Sequence, residues 1–130
     1  MGVDLPSVST TTLLTSVLGQ NVETAAIQSP PINLPLDNAQ ILIFWYLIVT
    51  TGGSTTQLGT RLRRGTGLTG TVVNIIDNTQ VTAGNNIRLA GCYSDTPGIV
   101  AGQVYTLSVQ SVGAAAAGAF IDGCMTLMVL

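Results

Sequence analysis

The sequence predicts an all-β protein, namely an antiparallel β-sandwich that is a jelly roll of about eight strands, with an extended N-terminal arm. Three observations lead to this fold class. The 130 residues suit one domain. Apolar or alternating segments recur at about ten-residue spacing between turn residues, and no segment keeps a helical period over about three turns. An immunoglobulin-like strand order stays open, because periodicity does not define topology.

The N-terminal segment differs from the rest of the chain. Residues 1–20 are rich in Ser and Thr, and their apolar residues follow no sustained period. We therefore expect an extended arm over residues 1–20 and one sandwich domain over residues 21–130. A short helical turn over residues 11–18 is the alternative, because Leu and Val residues there have three- and four-residue spacing. In an assembly, such an arm can lie on a neighbouring subunit.

The first predicted strand covers residues 22–27. Prolines at positions 30, 31 and 35 then forbid a helix and central-strand pairing. The most apolar strand follows at residues 41–51, which are dense in β-branched and aromatic side chains. Neither face of this strand suits water. One face is expected to point into the sandwich, and the other is expected to be covered by a further element or subunit.

Alternation of apolar and polar residues predicts the remaining strands. They cover residues 56–64, 71–76, 85–93, 103–112 and 119–130. Turn residues separate the strands at positions 52–54, 77–78 and 95–98, and a glycine- and alanine-rich hairpin loop covers positions 113–118. The last strand places Phe120 with Met128 on one face and Ile121 with Met125 on the other. It is therefore expected to be buried on both faces.

The composition removes most catalytic chemistry. Charged residues make up 8% of the chain, there is no His, and all four basic residues are arginines. Without His or Lys, and with two Cys, the chain lacks the usual general bases, a Schiff-base or P-loop lysine, and a Cys/His zinc site. The six acidic residues are scattered, and Asp37, Asp77 and Asp95 lie in turn contexts. We predict that the protein is not an enzyme and has no cofactor and no metal.

Nucleic acid and membrane are also not expected as partners. The net charge is −2, whereas phosphate binding needs clustered cations. Arg61, Arg63 and Arg64 form one basic cluster without interleaved aromatic residues, so we interpret it as a polar strand edge or an intersubunit salt bridge. The longest apolar run is far shorter than the about 20 residues of a membrane helix. The first residues show no export or lipidation signal.

The two cysteines allow one bridge or two free thiols. Cys92 and Cys124 are 32 positions apart in the sequence. Nothing else in the chain indicates an oxidising compartment. We interpret them as a buried pair of small apolar side chains.

An apolar chain with so little charge has two ordinary explanations. One is a secreted β domain with a surface of Ser, Thr, Asn, Gln and Gly; the other is a subunit whose exterior is covered by other protein. We favour the subunit. The residues expected to make oligomer or lattice contacts are Leu13, Leu14, Val17, Leu18, Phe44, Tyr46, Arg61, Arg63, Phe120 and Met128.

Several segments carry a resemblance to a known family. They are residues 41–51, Gly-Gly-Ser-Thr-Thr at 52–56, Arg-Leu-Arg-Arg-Gly-Thr at 61–66, Asp-Thr-Pro-Gly at 95–98 and Gly-Gln-Val-Tyr-Thr-Leu at 102–107. This texture is similar to small β proteins of tailed-phage virions, and most of all to jelly-roll head-decoration, or cement, proteins. The resemblance covers about the last 90 residues. It implies a homotrimer on the capsid exterior that clamps neighbouring subunits of the major capsid protein, with the arm on an adjacent trimer or shell protein.

A second hypothesis is a trimeric ligand- or carbohydrate-binding sandwich in a viral fibre or surface structure. It requires exposed aromatic side chains on which a ligand stacks. Phe44, Trp45 and Tyr46 lie in the most apolar strand, which argues against such a platform. Tyr93 is the aromatic residue that a sugar-binding function would use.

Overall fold

The computed structural model describes residues 6–19, 21–34, 36–52, 56–81, 86–112 and 116–130. Over these residues the chain forms eleven strands and one turn of 3-10 helix. The strands are β1 (Ser7–Thr10), β2 (Val17–Leu18), β3 (Glu23–Gln28), β4 (Ile32–Leu34), β5 (Ile41–Gly52), β6 (Thr56–Arg64), β7 (Thr71–Val81), β8 (Asn86–Asp95), β9 (Val100–Gln103), β10 (Tyr105–Val112) and β11 (Ala116–Val129). The 3-10 turn spans Gly67–Thr69.

Two antiparallel sheets form the sandwich. The first sheet has the order β1, β11, β5, β8, and β2 occupies the same edge as β1 because it also pairs with β11. The second sheet has the order β3, β10, β6, β7. Strands β4 and β9 form a small separate sheet. This alternation between sheets is the jelly-roll arrangement, and it confirms the predicted all-β sandwich.

Strand β5 shows why the two sheets pack face to face. Its side chains alternate, and every second one from Ile41 to Val49 is almost fully buried between the sheets. The second sheet contributes Leu58, Leu62, Leu107 and Val109 to the same core. Burying an aliphatic side chain of this size contributes about 1.5–3 kcal/mol. The inward face of the predicted strand is therefore covered by the chain itself.

Trp45 is the bulkiest inward side chain of β5, and a glycine makes room for it. Gly91 is the register partner of Trp45 on β8. A Cβ atom at this position would lie 2.6 Å from Cζ2 of Trp45 and 2.9 Å from Cδ1 of Ile76. Such distances are shorter than van der Waals contact, so the indole ring lies where a side chain would otherwise be.

The N-terminal arm predicted for residues 1–20 is not confirmed. The described part of this segment lies against its own domain, with β1 and β2 both paired to β11. Between them the chain crosses to the second sheet, where Leu13 forms a bridge with Ile27 and the Leu14 N–H donates to the Ala26 carbonyl at 2.8 Å. The segment therefore closes one open side of the sandwich.

Threonine side chains turn the chain at both corners of this crossing. The Thr12 N–H donates to Oγ1 of Thr10 at 3.1 Å, and the Val17 N–H donates to Oγ1 of Thr15 at 3.2 Å. Hydroxyl groups that accept a bond from the backbone two residues ahead favour turns over regular structure. The Thr-rich composition thus produces turns here, and the helical alternative over residues 11–18 is wrong.

One predicted turn is a bulge in a continuous strand. Asp77 and Asn78 were expected to end the strand before them, but β7 continues to Val81. In the pairing of β7 with β6, Thr60 faces Ile76 and Leu58 faces Thr79, so the register shifts at this point. A bulge accommodates the one extra residue of β7, so the pairing of β7 with β6 continues beyond it. The predicted turns at 53–54 and the start of the loop at 113–115 lie outside the described residues.

Adjacent residues of β2 test whether the N-terminal segment belongs to the domain. Leu18 is 0% exposed and Val17 is 56% exposed. We expect Leu18→Ala to lower the free energy of unfolding by about 3 kcal/mol, because a buried Leu→Ala change leaves a cavity. Val17→Ala is the matched control and should change it by less than about 0.5 kcal/mol. Urea denaturation measures both, and equal small effects would show that the segment is not part of the folded unit.

Candidate assembly interface

The outer faces of the two sheets differ in how they are covered. On the second sheet, Thr106 and Ser108 point outward from β10, yet both are 0% exposed. Ser108 Oγ donates to the Glu23 carboxylate at 2.5 Å. Glu23 in turn accepts from Nε and Nη2 of Arg63 at 2.8 and 2.7 Å. A bidentate ion pair of the same chain therefore covers this part of the second sheet.

Both members of this ion pair are stabilised in their charged forms. The hydrogen bond from Arg63 lowers the pKa of Glu23 more than partial burial raises it, and the bond from Ser108 acts in the same direction. The bond to Glu23 raises the pKa of Arg63. Nη1 of Arg63 also donates to the Gly70 carbonyl at 2.7 Å. The guanidinium is therefore occupied within its own chain, although Arg63 was expected to contact a neighbour.

The 3-10 turn covers the rest of the central outer face of the second sheet. The Gly67 N–H donates to Oγ1 of Thr106 at 3.0 Å, and that hydroxyl donates to the Gly65 carbonyl at 2.8 Å. Gly65 and Gly67 both have positive φ, of 120° and 60°, a conformation that glycine adopts without steric cost. The glycines after Arg64 thus let the loop fold back over the sheet.

The first sheet presents apolar side chains on its outer face. Its central strand β5 directs Leu42, Phe44, Tyr46 and Ile48 outward, and Phe44 is 37% exposed. The paired strands β8 and β11 extend this surface on both sides. We call it the apolar face. Its residues are Leu42, Phe44, Tyr46, Ile48, Ala90, Cys92, Cys124 and Met128, and the small polar residues Ser94 and Thr126 lie in the same rows.

Two opposite charges flank the apolar face. Arg88 on β8 and Asp122 on β11 are both register partners of Ile48, and both are exposed. The guanidinium carbon of Arg88 lies 4.7 Å from the centroid of the Tyr46 ring. The Tyr46 hydroxyl lies 3.5 Å from Oδ2 of Asp122, whose Oδ1 accepts from the Gly123 N–H at 2.8 Å. The Tyr46 ring thus lies between a cation and an anion, and these two charges lie on the row of Ile48.

The two cysteines lie on this outer face, and neither is bridged. Cys92 is exposed and pairs in register with Phe44, while Cys124 is half-buried and pairs with Tyr46. The expectation of two buried side chains is wrong. Each cysteine lies on the outward side of its strand, where the alternation of side chains along the strand places it.

The expected contact residues divide among four places. Phe44, Tyr46 and Met128 lie on the apolar face, and Arg61 and Arg63 are half-buried on the outer face of the second sheet. Val17 is exposed beside β11, Leu14 is exposed beside β3, and Leu13 is half-buried against the core. Leu18 and Phe120 are core residues, so their side chains are not available to a neighbour.

A bulge explains the position of Phe120. The pairing of β11 with β5 shifts register between Phe120 and Asp122. Strict alternation places Phe120 on the face of Met128, but the shift turns Phe120 inward, where it is 3% exposed, and leaves Ile121 outward at 52%. A one-residue shift exchanges the two faces of a strand. Alternation alone gives no sign of such a bulge.

The residues that sequence reasoning missed are Leu42, Ile48 and Arg88, whereas Asp122, inside the last strand, is interpreted from the sequence as a hydrogen-bonded or intersubunit carboxylate. Leu42 and Ile48 follow from the same alternation that selected Phe44 and Tyr46. Arg88 and Asp122 are 34 positions apart in the sequence, and only the register of β8, β5 and β11 places them on one row. No local pattern indicates that juxtaposition.

A buried polar cluster joins the two sheets at one end of the sandwich. Asp95, at the end of β8, is 6% exposed and accepts from Nε and Nη2 of Arg64 at 2.9 and 2.5 Å. The Tyr105 hydroxyl donates to the same carboxylate at 2.5 Å. Asp95 was expected to serve a turn, yet it links the first sheet to β6 and β10 of the second.

The pKa values at this cluster follow from burial and hydrogen bonding. Burial raises the pKa of Asp95, but the hydrogen bonds from Arg64 and Tyr105 outweigh it, so the pKa lies below its usual range. Burial, and then the hydrogen bond to Asp95, raise the pKa of Tyr105 well above its usual range. The carboxylate is therefore charged and the phenol neutral at pH 7, which is the arrangement for a structural link.

The described residues contain no group of three or more His, Cys, Asp or Glu side chains placed to hold a metal ion. Within the same part of the chain, no helix has the length and hydropathy that crossing a membrane requires. The apolar face, with its two flanking charges, is therefore the candidate functional surface among the described residues.

No protein-family model matches the sequence, and no curated protein matches it. The fold is similar to chains of infectious bursal disease virus particles. The VP2 subviral particle gives a TM-score of 0.68 at 13% identity, and the T13 particle gives 0.69 at 12% identity. Each match covers 96% of this chain but 32% and 31% of the viral chain. The chain thus spans about a third of the length of these proteins.

A bacterial protein contains a similar sandwich. Latent PorU from Porphyromonas gingivalis gives a TM-score of 0.51 at 10% identity, and the match covers 98% of this chain and 13% of that one. At such identities the similarity concerns the fold alone. Because one fold serves many functions, the function has to be argued from the surface of this chain.

The link at Asp95 predicts an acid-sensitive stability. The pKa of Asp95 is lowered on folding, so its contribution is complete above the unfolded value of about 3.9 and is lost as pH falls through the lower folded value. We expect Asp95→Asn to lower the free energy of unfolding at pH 7 by about 2 kcal/mol or more. Its fall between about pH 5 and pH 2 should be shallower than in the wild type.

The control for this experiment is Asp37→Asn, which removes an exposed carboxylate. We expect this variant to keep the wild-type stability and the wild-type dependence on pH. Urea denaturation at a series of pH values measures all three proteins. Identical pH dependence in Asp95→Asn and the wild type would contradict the role of the carboxylate.

Proposed function

We propose that this protein is a structural subunit of a virion, a decoration protein on the capsid exterior that works as a homo-oligomer. The observation that carries the proposal is the contrast between the central strands of the two sheets. On the second sheet the chain covers the outer face of β3, β10 and β6 with the Arg63–Glu23 ion pair and the 3-10 turn, while Ile75 on the edge strand β7 stays 50% exposed. On the first sheet, the apolar face carries four large apolar or aromatic side chains in a continuous stripe along β5.

Such a stripe has a physical consequence. Contiguous exposed apolar surface on a soluble protein marks a contact with other protein or a ligand. Removing it from water contributes about 25 cal/mol per Å². With charged residues at 8% of the chain, little charge is available to offset an exposed apolar stripe. Covering the apolar face with protein therefore improves both stability and solubility.

The fold and the sequence texture support a place in a virion. The same sandwich occurs within chains of infectious bursal disease virus particles, and the sequence resembles phage head-decoration proteins. That resemblance implies a homotrimer that clamps neighbouring subunits of the major capsid protein. The exposed Leu14 and Val17, on the N-terminal segment between β1 and β3, are the proposed contacts with the shell. A chain without His or Lys suits such a structural function better than catalysis.

The sugar-binding hypothesis gains no support from the aromatic residues. Tyr93 packs against the core from the inward face of β8, so its ring is not a stacking platform. Phe44 and Tyr46 point outward, but they lie on the apolar face between Leu42 and Ile48. A stripe flanked by aliphatic side chains fits a protein contact better than a polar sugar.

Substitution on the apolar face tests the homo-oligomer. We expect the wild type to sediment as an oligomer at micromolar concentration, and Phe44→Ser to shift it toward the monomer because an apolar contact is lost. Ile99→Ser is the matched control, since Ile99 is 68% exposed but lies outside this face. Analytical ultracentrifugation measures all three. A wild type that stays monomeric would contradict the proposal.

The exterior position is tested on particles of the virus that encodes this chain. Antibodies raised against the purified protein should label intact particles in electron micrographs. Serum absorbed with the same protein is the control and should leave them unlabelled. Labelling that appears only after the particles are disrupted would place the protein inside the shell and contradict the proposal.

A further inference from the structure

We propose that the apolar face binds the same face of a second copy of this chain, around a twofold axis that runs along β5. This inference rests on the proposed function, because it specifies the contact through which the homo-oligomer forms. The occupant of the face is identified by the charges that flank it, Arg88 on one side and Asp122 on the other.

The two charges lie on one row of the sheet, on opposite sides of its central strand. Ile48 of β5 pairs with Asp122 of β11 and with Arg88 of β8. Neighbouring strands are about 4.8 Å apart, so the backbones of Arg88 and Asp122 are about 10 Å apart, with β5 midway between them. Each face therefore has a cation on the β8 side and an anion on the β11 side.

A rotation of 180° about the direction of β5 turns this pattern into its own complement. The rotation exchanges the β8 side and the β11 side while it keeps the height along the strand. Arg88 of each copy then lies opposite Asp122 of the other. A twofold contact presents the same patch twice, so two oppositely charged pairs form, one on each side of the apolar stripe.

The alternative twofold axis, across the strands, does not give these pairs. Such a rotation keeps Arg88 on the β8 side and moves it to another height along the strand. Each Arg88 then has no acidic partner on the facing sheet, and each Asp122 has no basic one. Because an unpaired charge at a contact is unfavourable, the charge pattern favours the axis along β5.

The apolar residues fit the same arrangement. With the axis along β5, Phe44 and Tyr46 lie near the axis, where each ring approaches its counterpart from the second copy. Aromatic pairs of this kind add to the burial of their area. Two sheets packed face to face lie about 10 Å apart, which is the spacing already seen between layers of a sandwich.

The size of the face sets the strength of the contact. The outward residues from Leu42 to Ile48 span about 20 Å along the strand. With the axis along β5, the strands that face one another are β8, β5 and β11, whose combined width is about 15 Å. Such a patch buries about 600 Å² over the two copies, which is the size of a weak contact. We therefore expect an equilibrium between monomer and dimer at micromolar concentration, and a trimer would need a second contact elsewhere on the chain.

Charge reversal tests the pairing. Arg88→Asp and Asp122→Arg each replace two opposite-charge pairs of the dimer with two like-charge pairs. We expect each variant alone to dimerise about tenfold more weakly than the wild type. In a mixture of the two variants, the heterodimer again has Asp opposite Arg on both sides. It should therefore form about as strongly as the wild-type homodimer.

Native mass spectrometry of the mixture measures this, because the heterodimer differs in mass from both homodimers. The control is Asn38→Asp/Gln40→Asp, which has the net charge of Arg88→Asp but carries it on exposed residues away from the face. Mixed with Asp122→Arg, it should not restore the heterodimer. Circular dichroism of each variant alone confirms that it is folded.

The outcomes separate this inference from the proposed function. A heterodimer that is restored only in the mixture of Arg88→Asp with Asp122→Arg supports the axis along β5. If the wild type is oligomeric but this mixture gains nothing over the control mixture, the inference is overturned and the proposed function stands. A monomeric wild type overturns both.

Discussion

The structure depends on how an apolar strand in the middle of a sheet is covered on both faces. Strand β5 is the central partner of β8 and β11, and its inward side chains form much of the core. Its outward side chains are also apolar. In a sandwich each sheet has one face inside and one outside, so the fold alone covers only half of such a strand. The outward half of β5 is therefore left to a contact outside the chain, which is the basis of the proposed oligomer.

Six of the ten charged residues lie at positions where they join elements of the fold. Arg64 and Asp95 link the two sheets from inside, together with Tyr105. Arg63 and Glu23 cover the outer face of the second sheet. Arg88 and Asp122 flank the apolar face of the first. Buried or partly buried pairs define geometry more than they add net stability. Here the Arg63–Glu23 pair covers the centre of the second sheet, whereas Arg88 and Asp122 are exposed at the sides of the apolar face.

The N-terminal segment shows how local composition misleads. Ser and Thr without periodicity predict an arm, because no regular element is indicated. In the folded chain the same residues form short edge pairings and side-chain turns, and they carry the backbone from one sheet to the other between β1 and β2. Leu18 then enters the core. This path is stabilised by pairing with β11, which is distant in the sequence, and with β3. The segment taken alone therefore does not predict it.

Alternation and turn residues act over a few neighbours, and they suffice to predict the all-β class, the positions of the main strands and the two-sided apolar character of β5. The remaining features depend on pairing between distant strands. Bulges at residues 77–78 of β7 and between Phe120 and Asp122 of β11 changed a turn into a strand and exchanged faces. The register of distant strands brought Arg88 and Asp122 onto one row, beside Tyr46. The row that Arg88 and Asp122 share is that of Ile48, and Tyr46 lies on the neighbouring row. Pairing register is a property of two strands at once, so no single segment encodes it.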